Sequence, residues 1–470
     1  MKLAYFLYIP LLSCIIPSYV LISPIHQQDV NFQTHIINTD GDIVHSISHS
    51  HYTASTPYLL EDGTILRPAK INESDIAGGA GGRIEKLSIY GDLIWSYDMN
   101  SNYAVQHHDI EPMPNGNILC VAWEYKTQQE ALNKGIISHT GPLWADMIIE
   151  IEPIGIDSAK IVWEWRSWDH LVQSHNSAFD NFVDSIANYP NKLDANFGYS
   201  GGDGPGPPQG NPDFLHINSI SYNEGLDQIV FSARKTNEVY IIDHSTTTQE
   251  ASTGYGGISG GGGDFLYRWG NKKLYTSHSD TQTLFAPHSA NWVSPGYPGE
   301  GNIIIFNNGV NRPGPDYSSV EEISPPSDSN GEYLFETSTS SHSPLWTYSG
   351  DENFFTSYQG GAYRLENGNT FITITDSKDI IEVNDNGEIV WSHYWDGAGY
   401  IARAQKYSEE NINLASQGDV NNDGIIDILD IINIINLIIN QTSFYYSADM
   451  NSDDIIDILD IIIIINIITD

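Results

Sequence analysis

The sequence predicts a mainly β body, a propeller of about six blades, followed by a small α-helical module. Three observations predict it. One turn-strand unit recurs through the body, a companion unit ends each time in Trp, and a duplication with a thirty-residue offset closes the chain.

The recurring unit is an acidic residue or Pro, then Asn or Asp, then Gly and a strand. It reads LEDGTIL from Leu60 to Leu66, MPNGNIL from Met113 to Leu119, and LENGNTF from Leu365 to Phe371. Asn-Gly and Asp-Gly supply the positive φ angles of tight hairpins, so each copy marks a strand pair. The companion unit runs from Ile84 to Trp95 and from Ile380 to Trp391, with a longer variant from Ile148 to Trp163. Modules of roughly 40 to 50 residues with about four short strands each are the signature of a propeller. In such a ring the strands nearest the axis deliver side chains from different modules to one channel mouth.

The expected organisation is a signal peptide at 1–22, an N-terminal segment at 23–57, the propeller at 58–407, a polar linker at 408–417 and the helical module at 418–470. Met1-Lys2 precedes an apolar run that Pro10 and Pro17 interrupt, which reads as a secretory signal and not as a membrane span. The protein is therefore expected to be exported, to the periplasm, the cell surface or the exterior. Leu11-Leu12-Ser13-Cys14 weakly resembles a lipoprotein cleavage box, but the apolar run continues past Cys14. Cys120, in the apolar run from Ile118 to Ala122, reads as a core thiol, so no disulfide is expected. A net charge of −40 would repel a phosphate backbone and argues against nucleic acid as a partner.

The most informative stretch is Asp213 to Asp243, where strands at Gln228 to Ala233 and Glu238 to Ile242 follow a loop carrying His216 and Asn218. Those two share one face if the loop is extended, and Arg234 stands where the first strand ends. An imidazole, an amide and a guanidinium at one end of a sheet suit the gripping of a tetrahedral oxyanion and the movement of a proton or group. Three further polar clusters stand just upstream of a turn-strand unit: His107-His108-Asp109, Pro287-His288-Ser289-Ala290-Asn291-Trp292, and Ser357-Tyr358-Gln359-Gly360-Gly361. Equivalent positions in successive blades should point the same way.

Between Trp168 and His216 lies an insertion without hydrophobic periodicity, including Gly201 to Pro208, which reads as a lid or substrate wall on the channel face. Asp169, His170, His175 and Asn176 within it read as loop contacts, not as metal ligands. Gly254 to Gly263 lacks the following helix and the Lys-Ser/Thr pair of a phosphate cradle.

The ordered motifs HHDI and PNGNIL, then DFLHINS, SAR and NEVYIID, then PHSANW and GNIIIFNNG, then QGGAYRLENGNT resemble the bacterial arylsulfotransferase (aryl-sulfate sulfotransferase) family across roughly Tyr58 to Tyr407. The resemblance implies a six-bladed propeller with no cofactor. It also implies a ping-pong transfer of a sulfuryl group from an aryl sulfate to a phenolic acceptor, without a nucleotide donor. By resemblance His288 is the nucleophile, and Arg234 and Asn218 hold the sulfuryl oxygens. His216 and one of His107 or His108 stabilise charge or shuttle the phenol proton, while Ser357 and Gln359 contact substrate. Neighbours on a strand face opposite ways, so only one of the histidine pair should line the site, with Asp109 placed to orient its neighbour. The chain departs from the family pattern at Ser289, where many relatives carry an acid, and at Pro287, where an amide is common. The alternative reading is a non-catalytic propeller that binds a sulfated or aromatic ligand.

From Gly418 to Asp470 there are ten Asp and no Glu, Lys or Arg. Asp419, Asn421, Asp423, Asp427 and Asp430 recur as Asp449, Asn451, Asp453, Asp457 and Asp460. Those are positions 1, 3, 5, 9 and 12 of a calcium loop, and the carbonyls of Ile425 and Ile455 stand at position 7. Each loop leads into an isoleucine-rich helix, and the pair resembles a type I dockerin module. The resemblance implies calcium and a cohesin-like partner that would attach the propeller to a scaffold.

Overall fold

The computed structural model describes residues 18–25, 32–71, 78–197, 212–276, 281–351, 354–408, 418–421, 425–440, 446–451 and 455–469. Its body, Val20–Lys406, is one compact unit, and the C-terminal module belongs to another. Six sheets form the blades of the body, and a seventh, of two parallel strands, pairs Leu171–Val172 with Leu193–Asp194. Blade 1 is Gln405–Ser408, Ser18–Ile22, Phe32–Ile37 and Ile43–His49, and blade 2 sets the short strands Tyr52–Thr53 and Tyr58–Leu59 against Ile65–Lys70, Gly82–Leu87 and Leu93–Asp98. Blade 3 is Val105–Pro112, Ile118–Lys126, Leu143–Ile154 and Ser158–Arg166, and blade 4 is Ile217–Asn223, Gln228–Ala233, Glu238–Asp243 and Tyr267–Trp269. Blade 5 is His288–Trp292, Ile303–Asn307, Ser319–Ile323 and Trp346–Tyr348, and blade 6 is Gly361–Arg364, Thr370–Ile374, Asp379–Val383 and Ile389–Tyr394. The first strands of blades 3 to 6 pack on one another around the axis.

Two boundaries differ from the sequence reading. Ser18–Ile22 is a sheet strand beside Gln405–Ser408, and residues 32–49 supply the rest of blade 1, so the propeller starts at Ser18 and not at Tyr58. A cut after residue 22 would remove the strand on which the last one closes the ring. The sequence reading missed blade 1, although Asp40-Gly41 marks one of its turns, because the sheet is completed only by residues almost four hundred positions away.

Alternation along each strand buries apolar side chains between neighbouring blades. Cys120, Met147 and Ile149 of blade 3 pack on Ile84 and Trp95 of blade 2, while Ile148 and Trp165 meet Ile229 and Phe231 of blade 4. Burying one such aliphatic side chain contributes about 1.5–3 kcal/mol, so these seams carry most of the body's stability. The recurring Trp has a specific task there. Its indole N–H crosses to the next blade: Trp95 donates to Ser158 O (2.9 Å), Trp163 to Thr246 Oγ1 (3.1 Å), Trp269 to His342 O (2.9 Å), Trp346 to Asp385 O (3.1 Å) and Trp391 to Thr39 O (2.8 Å). Blade 1 has no such Trp, and His45 Nε2 makes the equivalent bond to Ile89 O at 2.7 Å. Six staples thus join six blades.

The turn units also have a structural reason. Only the Gly takes positive φ, at 78° in Gly63, 85° in Gly116 and 86° in Gly368, so each turn is a tight turn with one left-handed residue and not a pair of them. The Asn after the Gly reaches back to a buried Glu on the third strand: Asn117 Nδ2 donates to Glu150 (2.5 Å) and Asn369 Nδ2 to Glu382 (2.6 Å).

In the C-terminal module the helices Ile428–Asn440 and Ile458–Thr469 bury Ile434, Ile461 and Ile464. Among the described residues no helix is long and apolar enough to cross a membrane.

Candidate active site

Every polar cluster singled out in the sequence lies at the start of an innermost strand, on the same end of the ring. Three of these starts are irregular. The pairing of Val105–Pro112 shifts between the partners of Cys120 and Ala122, that of Ile217–Asn223 shifts at Asn218, and that of His288–Trp292 shifts between His288 and Asn291. Non-glycine residues take positive φ at or beside these places: His108 (49°), His216 (59°), Ser289 (52°) and Gln359 (55°). Such backbone is held only where surrounding contacts over-determine it, and bulges re-aim side chains. The expectation that His216 and Asn218 share one extended face is corrected accordingly, since a left-handed residue and a bulge set their directions.

His288 is 3 % exposed and lines a narrow void with Asn218, Ser289, Gln359, Asp109 and Arg403. Its Nδ1 lies 2.7 Å from Asn308 Oδ1 and 3.2 Å from Ala286 O, two acceptors, so Nδ1 carries the hydrogen. Nε2 is left with its lone pair and no hydrogen-bond partner among the described residues. Burial, then the charges of Arg234 and His216, push the His288 pKa down to about 3. At neutral pH the ring is therefore an uncharged base.

Around it stand groups from three other blades. His216 Nδ1 donates to Asp213 Oδ2 at 2.6 Å, which directs its Nε2 away from that carboxylate. Asp213 also accepts from Trp123 Nε1 (3.1 Å), and Lys235 Nζ stands 3.5 Å from it. Against the upward push of burial, His216 and Lys235 hold the Asp213 carboxyl well below its ordinary range. The loop itself is anchored by Asp146, whose carboxylate accepts from the backbone N–H groups of Leu215 (2.8 Å), His216 (3.3 Å) and Ile217 (2.8 Å). Arg234 follows the second strand of blade 4 and gives a long hydrogen bond to Ser357 O (3.4 Å); among the described residues it has no carboxylate partner.

The histidine pair separates. The His108 ring is 4.5 Å from that of His216, and burial, then His216, His107, His288 and Arg234, hold it neutral. Gly79 makes room for it, because a Cβ there would fall 2.2 Å from His108 Cε1. His107 is stacked on Trp123 at 3.8 Å, with its Nδ1 2.9 Å from His108 Nδ1, so it backs the other ring. Asp109 does not orient either. It accepts from Arg403 Nη2 (3.0 and 3.2 Å) and Tyr58 Oη (2.9 Å), a cluster the sequence reading missed.

Asn218 donates to Pro287 O at 2.9 Å, so one of its amide hydrogens secures the loop before His288. The Ser357 hydroxyl is committed to Asp376 Oδ2 (3.0 Å), and only its carbonyl faces Arg234. Gln359 lines the void. His170 bonds Asp264 (2.7 Å) and Ala251 O (2.9 Å), the loop contacts expected. The stretch Gly201 to Pro208 lies outside the described residues, as do Asp423 and Asp453.

With this geometry in view, the profile of the Arylsulfotransferase (ASST) family matches residues 19–379. The chain belongs to the arylsulfotransferase family. Its C-terminal module is a dockerin type I domain, matched over 417–469. No curated protein sequence matches the chain. Among solved structures this arylsulfotransferase is similar to a protein of unknown function from Bacteroides caccae, at 11 % identity and TM-score 0.44, covering 83 % of this chain and 98 % of that one. It is also similar to the periplasmic gluconolactonase PpgL of Pseudomonas aeruginosa, at 9 % identity and TM-score 0.42, covering 81 % and 84 %. A likeness at that level carries no argument about chemistry.

Type I dockerin domains bind calcium, and the residues here fit that ion. Asp419, Asp430, Asp449 and Asp460 are buried in a segment without Lys or Arg, an all-oxygen donor set that suits calcium. Asp430 accepts from the N–H groups of Val420 (2.6 Å) and Asp427 (2.9 Å), and Asp460 repeats this with Met450 (2.7 Å) and Asp457 (2.8 Å).

Proposed function

We propose that the protein is an exported sulfotransferase that moves a sulfuryl group from an aryl sulfate to a phenol through a sulfohistidine at His288. The observation that carries this reading is an imidazole buried in neutral form beside a guanidinium with no carboxylate partner among the described residues, in a member of a sulfotransferase family. In the first step the Nε2 lone pair forms the N–S bond, the S–O bond to the aryl group breaks, and the electron pair leaves as phenolate. Arg234 neutralises the sulfuryl oxygens, whose charge grows in the transition state, and the second amide hydrogen of Asn218 adds a donor. His216, seated on Asp213, gives a proton to the leaving phenolate with His108 beside it. In the second step His216 takes the proton of the incoming phenol, whose oxygen attacks sulfur and returns His288 to its free state.

The overall charge of −40 would oppose an anionic donor, but the mouth itself is not acidic. Asp109 is paired with Arg403, and burial together with the Asp109 charge pushes Glu111 up to about 8, so it stays protonated at neutral pH. Asp213 is offset by Lys235, which leaves Arg234 to set the local field.

The apolar segment 1–17 would direct export and end ahead of Ser18. Calcium would be held by Asp419, Asn421, Asp423, Asp427, Asp430 and the Ile425 carbonyl, and by Asp449, Asn451, Asp453, Asp457, Asp460 and the Ile455 carbonyl. The loaded module would dock on a cohesin-like protein and tether the propeller to a scaffold.

Incubation with 4-nitrophenyl sulfate, without acceptor or nucleotide sulfate, should add one SO3 unit to the intact protein, and peptide mapping should place it on His288. Added phenol should remove it. A well-folded protein that gains no mass from any of several aryl sulfates would sink this reading.

A further inference from the structure

We propose that Asn308 is a positioning residue that locks the tautomer of His288, resting on the reading of His288 as nucleophile. Asn308 is 0 % exposed, directly after the second strand of blade 5. Its Oδ1 faces His288 Nδ1 at 2.7 Å, while its Nδ2 donates to two carbonyls, Thr356 O at 2.9 Å and Gln359 O at 2.8 Å. Reversing the amide would set Oδ1 against those two carbonyl oxygens and Nδ2 against the imidazole, so the orientation follows from the hydrogen bonds.

That orientation decides which nitrogen can attack. With Oδ1 an obligate acceptor, the proton resides on Nδ1 and the lone pair on Nε2 in every resting molecule. An imidazole free to exchange tautomers would spend much of its time with Nε2 protonated and unreactive. When Nε2 bonds to sulfur the ring becomes cationic while keeping its Nδ1 hydrogen, and the same Oδ1 stabilises that charge without itself becoming ionised. A carboxylate in this place would raise the basicity of the ring and keep more of it protonated, so that less of it has a free lone pair at a given pH. The amide therefore serves where many relatives were expected to use an acid beside the histidine. Ser289 does not replace it, since among the described residues the Ser289 hydroxyl has no hydrogen-bond partner. The groups facing His288 that titrate or carry charge are Arg234 and His216, with His108 adjacent and the paired Asp109 and Arg403 lining the same void.

Two variants and two readouts test this. In the ¹⁵N spectrum of histidine-labelled protein, with His288 signals assigned by their loss in His288→Gln, the wild type should show a single neutral tautomer protonated at Nδ1. Asn308→Ala leaves Nδ1 only the longer contact to Ala286 O at 3.2 Å, so it should show an exchanging mixture, and the rate of sulfo-enzyme formation should fall about 100-fold or more with little change in KM for the donor. Asn308→Asp should keep the tautomer but raise the acid limb of the pH-rate profile. A wild-type tautomer protonated at Nε2, or variants whose tautomer, rate and pH profile all match wild type, would overturn the assignment of Asn308. The spectrum reads Asn308 even if no sulfo-enzyme forms, whereas absence of that adduct in the wild type strikes only the nucleophile reading.

Discussion

Two guanidiniums reach the same channel mouth, and their surroundings differ. Arg403, ahead of the closing strand, meets Asp109 with both carboxylate oxygens within 3.2 Å and also donates to Tyr58. Arg234, among the described residues, has only a 3.4 Å hydrogen bond to a carbonyl. Burial alone would lower both pKa values. For Arg403 the charges of Asp109 and its neighbours outweigh burial and raise it, whereas Arg234 stays lowered. One arginine is part of the ring's structure; the other is a cation with no carboxylate paired to it among the described residues. A basic side chain in a channel is thus informative only when its partners are known.

The largest expected effect comes from breaking the paired side. Arg403→Gln leaves Asp109 buried without its counter-charge and should destabilise the protein by about 3–5 kcal/mol in urea unfolding. The double variant with Asp109→Asn should recover part of that loss. Arg234→Gln should do the reverse, lowering kcat/KM for an aryl sulfate by about 10²–10³-fold while changing stability by no more than about 0.5 kcal/mol. Equal effects of the two substitutions on stability would erase the contrast.

The smallest effect is on pH dependence. A histidine whose pKa is lowered gives up its proton at lower pH, so with His288 near 3 the first half-reaction should hold its rate through pH 5. An unperturbed imidazole would lose it below about 6.5. Because the Arg234 charge contributes to that lowering, Arg234→Gln should move the acid limb upward, and stopped-flow release of nitrophenolate across pH would measure it. An unmoved limb would mean that burial alone sets the basicity of His288.

The candidate histidines were legible because each stands just ahead of a turn-strand unit. Their roles were less so. Asp109 was placed beside His108 by chain proximity, yet its partner Arg403 is 294 residues away. Asn308 was in plain view within GNIIIFNNG but had no reason to be singled out until the adjacent strands were paired. Asp213 lies three residues before His216, and only the left-handed turn at His216 brings the two side chains together.

Short-range information in the chain was enough to determine the hairpins, the recurring Trp units, the duplicated calcium loops and the general kind of body, because turn chemistry and alternation act over a few residues. Closure decided everything else: where the first blade begins, which of two adjacent histidines faces the channel, and which arginine is already neutralised. Those outcomes depend on groups brought together across the ring, and no local preference encodes a contact whose partner is hundreds of residues distant.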